Sequence, residues 1–268
     1  MELVSASKMR RAVNNTLRAR QFALSSREAV QYIVGELDDA VVHPLLQAKP
    51  QAKKNLFIVL SSDRGLAAGL NINVAKFAVA TIKERGGIEQ AHVIAIGKRA
   101  ADILARLNVQ IVAQFPALSN NPAFADILPI AKLAIDGFVE GTYASVTVIS
   151  TDYVSGITQT PTAKQLLPVV SEKYLDNGDL PHAYPPLLEP SPQAILEAML
   201  PRLVETTLYQ TLLEATASEH AARMMAMKNA SDAAKDMIQH LSFTYNQARQ
   251  ASITQEIAEI SSGKAALE

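Results

Sequence analysis

Two kinds of hydrophobic spacing divide the chain. Toward the C-terminus Met224, Met227, Ser231, Ala234, Ile238, Leu241, Tyr245, Ala248 and Ser252 follow at alternating intervals of three and four. This is the heptad signature of a coiled coil, and its small seam residues let two helices approach closely. Near the N-terminus Val13, Leu17 and Leu24, then Val30, Val34, Leu37 and Val41, also recur at helical spacing. The middle reads differently. Leu56-Phe-Ile-Val-Leu60, His92-Val-Ile-Ala-Ile96, Val109-Gln-Ile-Val112 and Val146-Thr-Val-Ile149 are short β-favouring runs, with helical candidates between them over 72–85, 98–107 and 122–139. Strands alternating with helices of this length predict right-handed βαβ crossovers and a mostly parallel sheet.

Glycine and proline draw the same boundaries. Neither occurs from Met1 to Val34 or from Arg202 to Ser262. Inside a helix proline costs about 3 kcal/mol and glycine about 1, so these stretches read as continuous helix. At 1.5 Å per residue the second could reach about 90 Å, too long for a domain whose radius of gyration should be about 18 Å. The expected organisation is an α/β fold in three parts. An N-terminal coiled-coil helix occupies 1–50, an α/β domain 51–190, and a long C-terminal coiled-coil helix 191–268, with the two ends pairing antiparallel. Asp176-Asn-Gly-Asp, with Pro181, Pro185, Pro186, Pro190 and Pro192, reads as an irregular connection into the last helix.

Composition narrows the chemistry. The 268 residues contain no cysteine, which excludes disulfides, thiolate metal sites and cysteine nucleophiles, and makes the intracellular side the simplest compartment. No apolar run approaches the roughly 18 residues of a membrane span, and charges at Glu2, Lys8 and Arg10 stand where a signal peptide needs its apolar region. The net charge of −1 gives no general reason to expect nucleic acid. The first helix is different. Lys8, Arg10, Arg11, Arg18, Arg20 and Arg27 face only Glu2 before Glu28, a basic strip suited to an acidic surface.

Candidate motifs are few. Ser61-Ser-Asp-Arg-Gly-Leu-Ala-Ala-Gly-Leu-Asn71 stands between a strand and a helix, where phosphate loops sit. It fails both templates: Gly65 and Gly69 are one residue too close for a Walker loop, Leu70-Asn71 replace its Lys-Ser/Thr, and the third glycine of a dinucleotide fingerprint is missing. Asp63 and the glycines suit a turn instead, with Asn71 or Asn73 capping the next helix. His43, His92, His182, His220 and His240 are dispersed and read as surface or interface residues rather than ligands. Glu219 with Arg223, and Asp232 with Lys235 or Asp236, have the spacing of solvated helix-surface groups. No catalytic constellation emerges. Late in the chain Arg249, Gln250 and Thr254 form a polar face, the last two one helical turn apart.

Four stretches carry a family resemblance: MELVSASKMRRA from Met1, SSDRGLAAGLN from Ser61, ITQTPTAKQLLP from Ile157, and the long run from Glu219 to Leu267. Over nearly its whole length the chain resembles the gamma subunits of F-type rotary ATP synthases. The resemblance implies an antiparallel coiled coil of the chain ends around a Rossmann-like domain, and a non-catalytic rotor that couples proton flow to ATP synthesis. It implies as partners the alpha and beta subunits, the epsilon subunit and the membrane c-subunit ring, with no cofactor and no metal. The location implied is peripheral, on the cytoplasmic face of a bacterial plasma membrane. By position, Arg249 and Gln250, with Thr254 beside them, correspond to polar contacts with a beta-subunit loop, and Lys8, Arg10 and Arg11 to a basic segment near acidic beta-subunit loops. Such subunits begin about twenty residues upstream of MELVSASKMRR, so Met1 is expected to be an internal methionine. Ala67 and Ala68 stand where the family has Cys-Gly, and alanine tolerates positive φ less well than glycine. The alternatives from the residues alone are an α/β nucleotide- or metabolite-binding protein with coiled-coil arms, and a coiled-coil scaffold unrelated to rotation.

Overall fold

The computed structural model describes residues 2–36, 43–115, 118, 122–169 and 189–265. Leu37, Val41, the Asp176-Asn-Gly-Asp connection, Pro181, His182, Pro185 and Pro186 lie outside the described residues. The chain divides into two compact units, Met1–Met224 and Met225–Glu268.

The first unit is built on a sheet of β1 (Lys54–Leu60), β2 (Ala91–Ile96), β3 (Gln110–Phe115), β4 (Tyr143–Tyr153) and β5 (Gln159–Leu167), ordered β3-β2-β1-β4-β5. β1 pairs parallel with β2 and β4, and β2 with β3, as βαβ alternation predicts. β5 runs antiparallel on the edge, a strand the hydrophobic pattern did not show. Leu56, Ile58 and Leu60 of β1 face one core, and Phe57 and Val59 face another. Both faces are covered, which is why β1 and β2 read as continuous apolar runs. α2 (Leu70–Glu84) and α3 (Lys98–Arg106) cover the Phe57 face through Val74, Ala78, Ile82, Ala100 and Leu104. The other face carries α4 (Phe124–Val139) and the first turns of α5 (Pro192–Ala265), through Ile127, Ile130, Phe138, Leu196, Leu200, Leu203, Leu208 and Leu212. α5 begins ten residues earlier than its proline-free stretch, because it runs through Pro201.

α1 (Glu2–Glu36) packs antiparallel on α5. Thr16 Oγ1 lies 2.9 Å from Ala12 O and 3.0 Å from Leu213 O, so its one proton is shared between its own turn and the facing helix. Arg20 Nη2 meets Glu214 Oε1 at 3.0 Å, while further along α1 Val30 faces Met199 and Leu203. The buried face is Ser5, Ala12, Thr16, Val30 and Ile33. Leu17 and Leu24, expected on the seam, are instead 51% and 52% exposed. Small and hydroxyl side chains allow the close approach, and the bulky ones are left outside.

The heptad seam predicted from Met224 to Ser252 also shifts. The turns of α5 that pair with α1 come earlier, over 199–220, where the helix is buried against both α1 and the sheet. In the second unit every residue from Asp232 to Lys264 is exposed, including Ile238, Leu241 and Tyr245 at 59% to 66%. No helix among the described residues is long and apolar enough to cross a membrane.

One carboxylate ties the three layers of the first unit together. Glu214 of α5, its side chain 8% exposed, accepts from Arg20 of α1, from Lys164 of β5 at 3.2 Å, and from Gln210 one turn away at 3.1 Å. Lys164 also reaches Asp152 of β4 at 2.8 Å. Burial pushes the Glu214 carboxyl up, but the Lys164 charge, with hydrogen bonds from Gln210, Lys164 and Arg20, outweighs it and holds the pKa below the ordinary value. A lowered folded pKa stabilises the protein above the unfolded pKa, and that contribution is lost as pH falls through the folded value. Glu214→Ala should therefore cost about 2 kcal/mol at pH 7, less than a fully buried pair because Arg20 and Lys164 regain water. In urea unfolding the gap between wild type and variant should narrow as the carboxylate range is crossed. An equal gap at pH 7 and pH 3 would contradict this.

Candidate functional site

The loop after β1 was the first candidate for a phosphate cradle, and its polar groups are already committed. Asp63 Oδ1 accepts the Lys98 amide at 2.9 Å, and Ser61 Oγ accepts the Ala100 amide at 2.9 Å. Two of the donors that the start of α3 leaves unpaired are thus capped by side chains thirty-five and thirty-nine residues away. The Ser62 amide donates to Asn71 Oδ1 at 3.0 Å, and the Asn71 amide returns a bond to Ser62 Oγ at 2.8 Å. Neither Asn71 nor Asn73 caps α2 as expected. The N-cap is Gly69, with no side-chain bond, because Asn71 lies inside the first turn and folds back to brace the loop. The enclosed space between this loop, Gly97, Thr151 and Glu219 is only about 10 Å³, against about 300 Å³ or more for ordinary ligand pockets.

Two backbone positions hold the joint. Gly97 has φ +91°, and a Cβ there would lie 2.1 Å from Ser61 O, so only glycine lets the loops after β1 and β2 touch. Ala68 sits at φ 48° and Leu66 at φ 64°, both in the left-handed region. That region costs a non-glycine residue about 1–2 kcal/mol.

The predicted contact residues fall in two places. Lys8, Arg10 and Arg11 are exposed on α1, and Lys8 and Arg11 line one cleft with Asn15 and His220. Arg249, Gln250 and Thr254 are exposed in the second unit, and their side chains make no hydrogen bond or ion pair with the described residues. Three readings of the sequence need correction. Glu219 and Arg223 are not a solvated pair: they meet at 2.7 Å with side chains 7% and 16% exposed, because these turns of α5 are enclosed. Asp232 and Lys235, by contrast, do form an exposed pair at 3.5 Å. His92 and His220 are buried rather than superficial. His92 packs edge-on against Tyr143 with ring centroids 5.6 Å apart. Among the described residues no group of three or more His, Asp or Glu side chains is placed to hold a metal ion. Sequence spacing could not have found Glu214 as a centre of interaction, because its partners Arg20 on α1 and Lys164 on β5 are remote in the chain.

Removing strain and adding it should give opposite results. Ala68→Gly should raise stability by about 0.5–1 kcal/mol, after allowing for the greater backbone entropy that glycine loses on folding. Gly97→Ala should destabilise by about 3 kcal/mol or more through the clash with Ser61. Thermal or urea unfolding of the two variants checks both signs, and stabilisation by Gly97→Ala would refute the joint.

The chain's similarities agree along its whole length. The family model described as ATP synthase matches residues 1–267. The ATP synthase gamma chain of Roseiflexus castenholzii is 42% identical over 272 residues, covering 100% of this chain and 91% of that protein. The ATP synthase gamma chain of Herpetosiphon aurantiacus is 38% identical over 278 residues, covering 100% of this chain and 92% of that one. Among solved structures, a chain from the central stalk and c-ring of the Tetrahymena thermophila mitochondrial ATP synthase superposes with a TM-score of 0.62 at 22% identity, covering 86% of this chain and 97% of that one. A chain of the Euglena gracilis mitochondrial ATP synthase gives 0.60 at 17% identity, covering 99% and 94%. These two likenesses show the fold; the sequence matches show the family. The chain belongs to the ATP synthase gamma-chain family.

Proposed function

We propose that this chain is the central-stalk rotor subunit of an F-type ATP synthase and has no active site of its own. The observation that carries the reading, beside family membership, is α5. It is one 74-residue helix, with no exposed residue from Leu203 to Ala222 and every residue exposed from Asp232 to Lys264. So much exposed apolar side chain at Ile238, Leu241, Ile257 and Ile260 suits a surface that works inside a partner assembly. The reading assigns 1–50 and 191–268 to the coiled coil and 51–190 to the α/β domain. The partners follow from it: alpha and beta subunits around the long helix, and an epsilon subunit and c-ring beside the α/β domain. Attachment to the cytoplasmic face of a bacterial membrane would then be through those partners.

Within this reading Arg249, Gln250 and Thr254 contact a beta-subunit loop, and Lys8, Arg10 and Arg11 form a basic strip facing acidic beta-subunit surface. Arginine suits that role, since its planar fork binds carboxylates with two donors at once. A shaft with few such contacts can turn in its bearing while the contacts pass torque. The absence of catalysis is supported by the loop after β1, where Ser61, Ser62, Asp63 and Asn71 spend their polar groups on one another and on α3.

Co-expression with alpha and beta subunits tests the assignment. The chain should co-purify with them, and Arg249→Ala with Gln250→Ala should weaken assembly or the coupling of ATP hydrolysis to proton transport, with the circular dichroism of the isolated chain unchanged. Unaltered assembly and coupling would remove the contact role. Tight stoichiometric nucleotide binding by the isolated chain, abolished by substitution of Gly65 and Gly69, would overturn the non-catalytic reading.

A further inference from the structure

A cleft of about 100 Å³ opens between α1 and α5 in the first unit. Lys8, Arg11 and Asn15 line it from α1, and Leu213, Thr216 and His220 from α5. Among the described residues no acidic side chain lines it. The two carboxylates of α5 beside the cleft residues are already paired, Glu214 with Arg20 and Lys164 and Glu219 with Arg223 at 2.7 Å, and Lys8 and Arg11 form no ion pair with the described residues.

The hydrogen-bonding capacity of the wall leans towards donors. Arg223 Nη1 lies 3.3 Å from His220 Nδ1, and a guanidinium can only donate. Nδ1 is therefore the acceptor and the ring proton sits on Nε2, assigned from this network. Nε2–H has no protein partner among the described residues, and His220 lines the cleft with the rest of the residue largely buried. Thr216 Oγ1 spends its proton on Leu212 O at 2.8 Å. What remains is two cations, the Asn15 amide, an unpaired imidazole N–H and the acceptor-only Thr216 Oγ1 around one small space.

We propose that this cleft binds a small oxyanion of the phosphate class, with Lys8 and Arg11 supplying charge and the neutral His220 Nε2–H supplying a hydrogen-bond donor. A donor-rich, cationic wall favours an anion with several acceptor oxygens. At about 100 Å³ the space is well below the roughly 300 Å³ of a drug-sized pocket, which suits a single tetrahedral anion and not a nucleotide. The electrostatics agree. Burial, then the charges of Arg223 and Lys8, lower the His220 pKa to about 4, so the ring is neutral at pH 7 and the surrounding positive charge is uncompensated. The inference concerns the isolated chain and does not depend on the rotor assignment.

The test follows the His220 ring signals by NMR in the full chain, assigned with His220→Gln, while inorganic phosphate is added at constant ionic strength against chloride. The expected result is a saturating shift, displaceable by sulfate, and a rise in the His220 pKa of about one unit, since a bound anion favours the imidazolium. Lys8→Ala with Arg11→Ala should weaken the phosphate response by at least about tenfold, with far-UV circular dichroism unchanged. A shift that never saturates, the same shift with chloride alone, or an unchanged affinity in the double variant would overturn the proposal.

Discussion

The constraint on which the structure of the first unit depends is the burial of α5 from Leu196 to Ala222. Its apolar side, Leu196, Leu200, Leu203, Leu208 and Leu212, completes the core over one face of the sheet. Each fully buried leucine is worth roughly 1.5–3 kcal/mol, so this side supplies the affinity of helix for sheet. Its other side is polar and still enclosed: Thr211, Glu214, Thr216, Ser218 and His220 are all under 9% exposed. Groups of that kind are costly unless paired, and the pairings they find shape the first unit. Glu214 calls for Arg20 and Lys164, and Ser218 donates to Thr151 O at 3.1 Å on β4. α1 and β5 are therefore held to α5 by directional bonds, which fix register where small-residue packing alone would leave it loose.

The same logic accounts for the loop after β1. A strand-loop-helix turn with glycines offers free amides to a phosphate only if its own side chains leave them free. Here Ser61 and Asp63 satisfy the start of α3, Asn71 satisfies Ser62, and Gly97 removes the atom that would hold the two loops apart. The loop is a rigid joint at the carboxyl ends of β1 and β2. Ala68, strained at φ 48°, is tolerated because the bonds on either side of it over-determine the turn.

The sheet and its helices were legible where burial was two-sided or strictly periodic. β1, β2 and β4 show as apolar runs, and α2, α3 and α4 lie within two residues of the spans their patterns predict. β5 was not legible, because an edge strand reading Gln-Thr-Pro-Thr-Ala-Lys-Gln need bury only one side, and Pro161 is tolerated there. The coiled-coil contact was misplaced for a related reason. Hydrophobic spacing marks the bulky residues of α1, yet close helix packing on α5 uses Ser5, Ala12 and Thr16 and turns Leu17 and Leu24 outward. The heptads after Met224 carry a genuine periodicity, but among the described residues every position from Asp232 to Lys264 is exposed. The basic strip at Lys8 to Arg11 was legible as charge. Its meeting with His220 was not, since that depends on which turn of α5 faces which turn of α1.

The central claim is that the exposed part of α5 works by turning against alpha and beta subunits. Because the chain has no cysteine, a single cysteine replacing Gln250, paired with one in the facing beta-subunit loop, makes a reversible lock. ATP hydrolysis by the complex assembled with this chain should stop when the disulfide forms and return when it is reduced. Full hydrolysis with the cross-link formed would contradict the account.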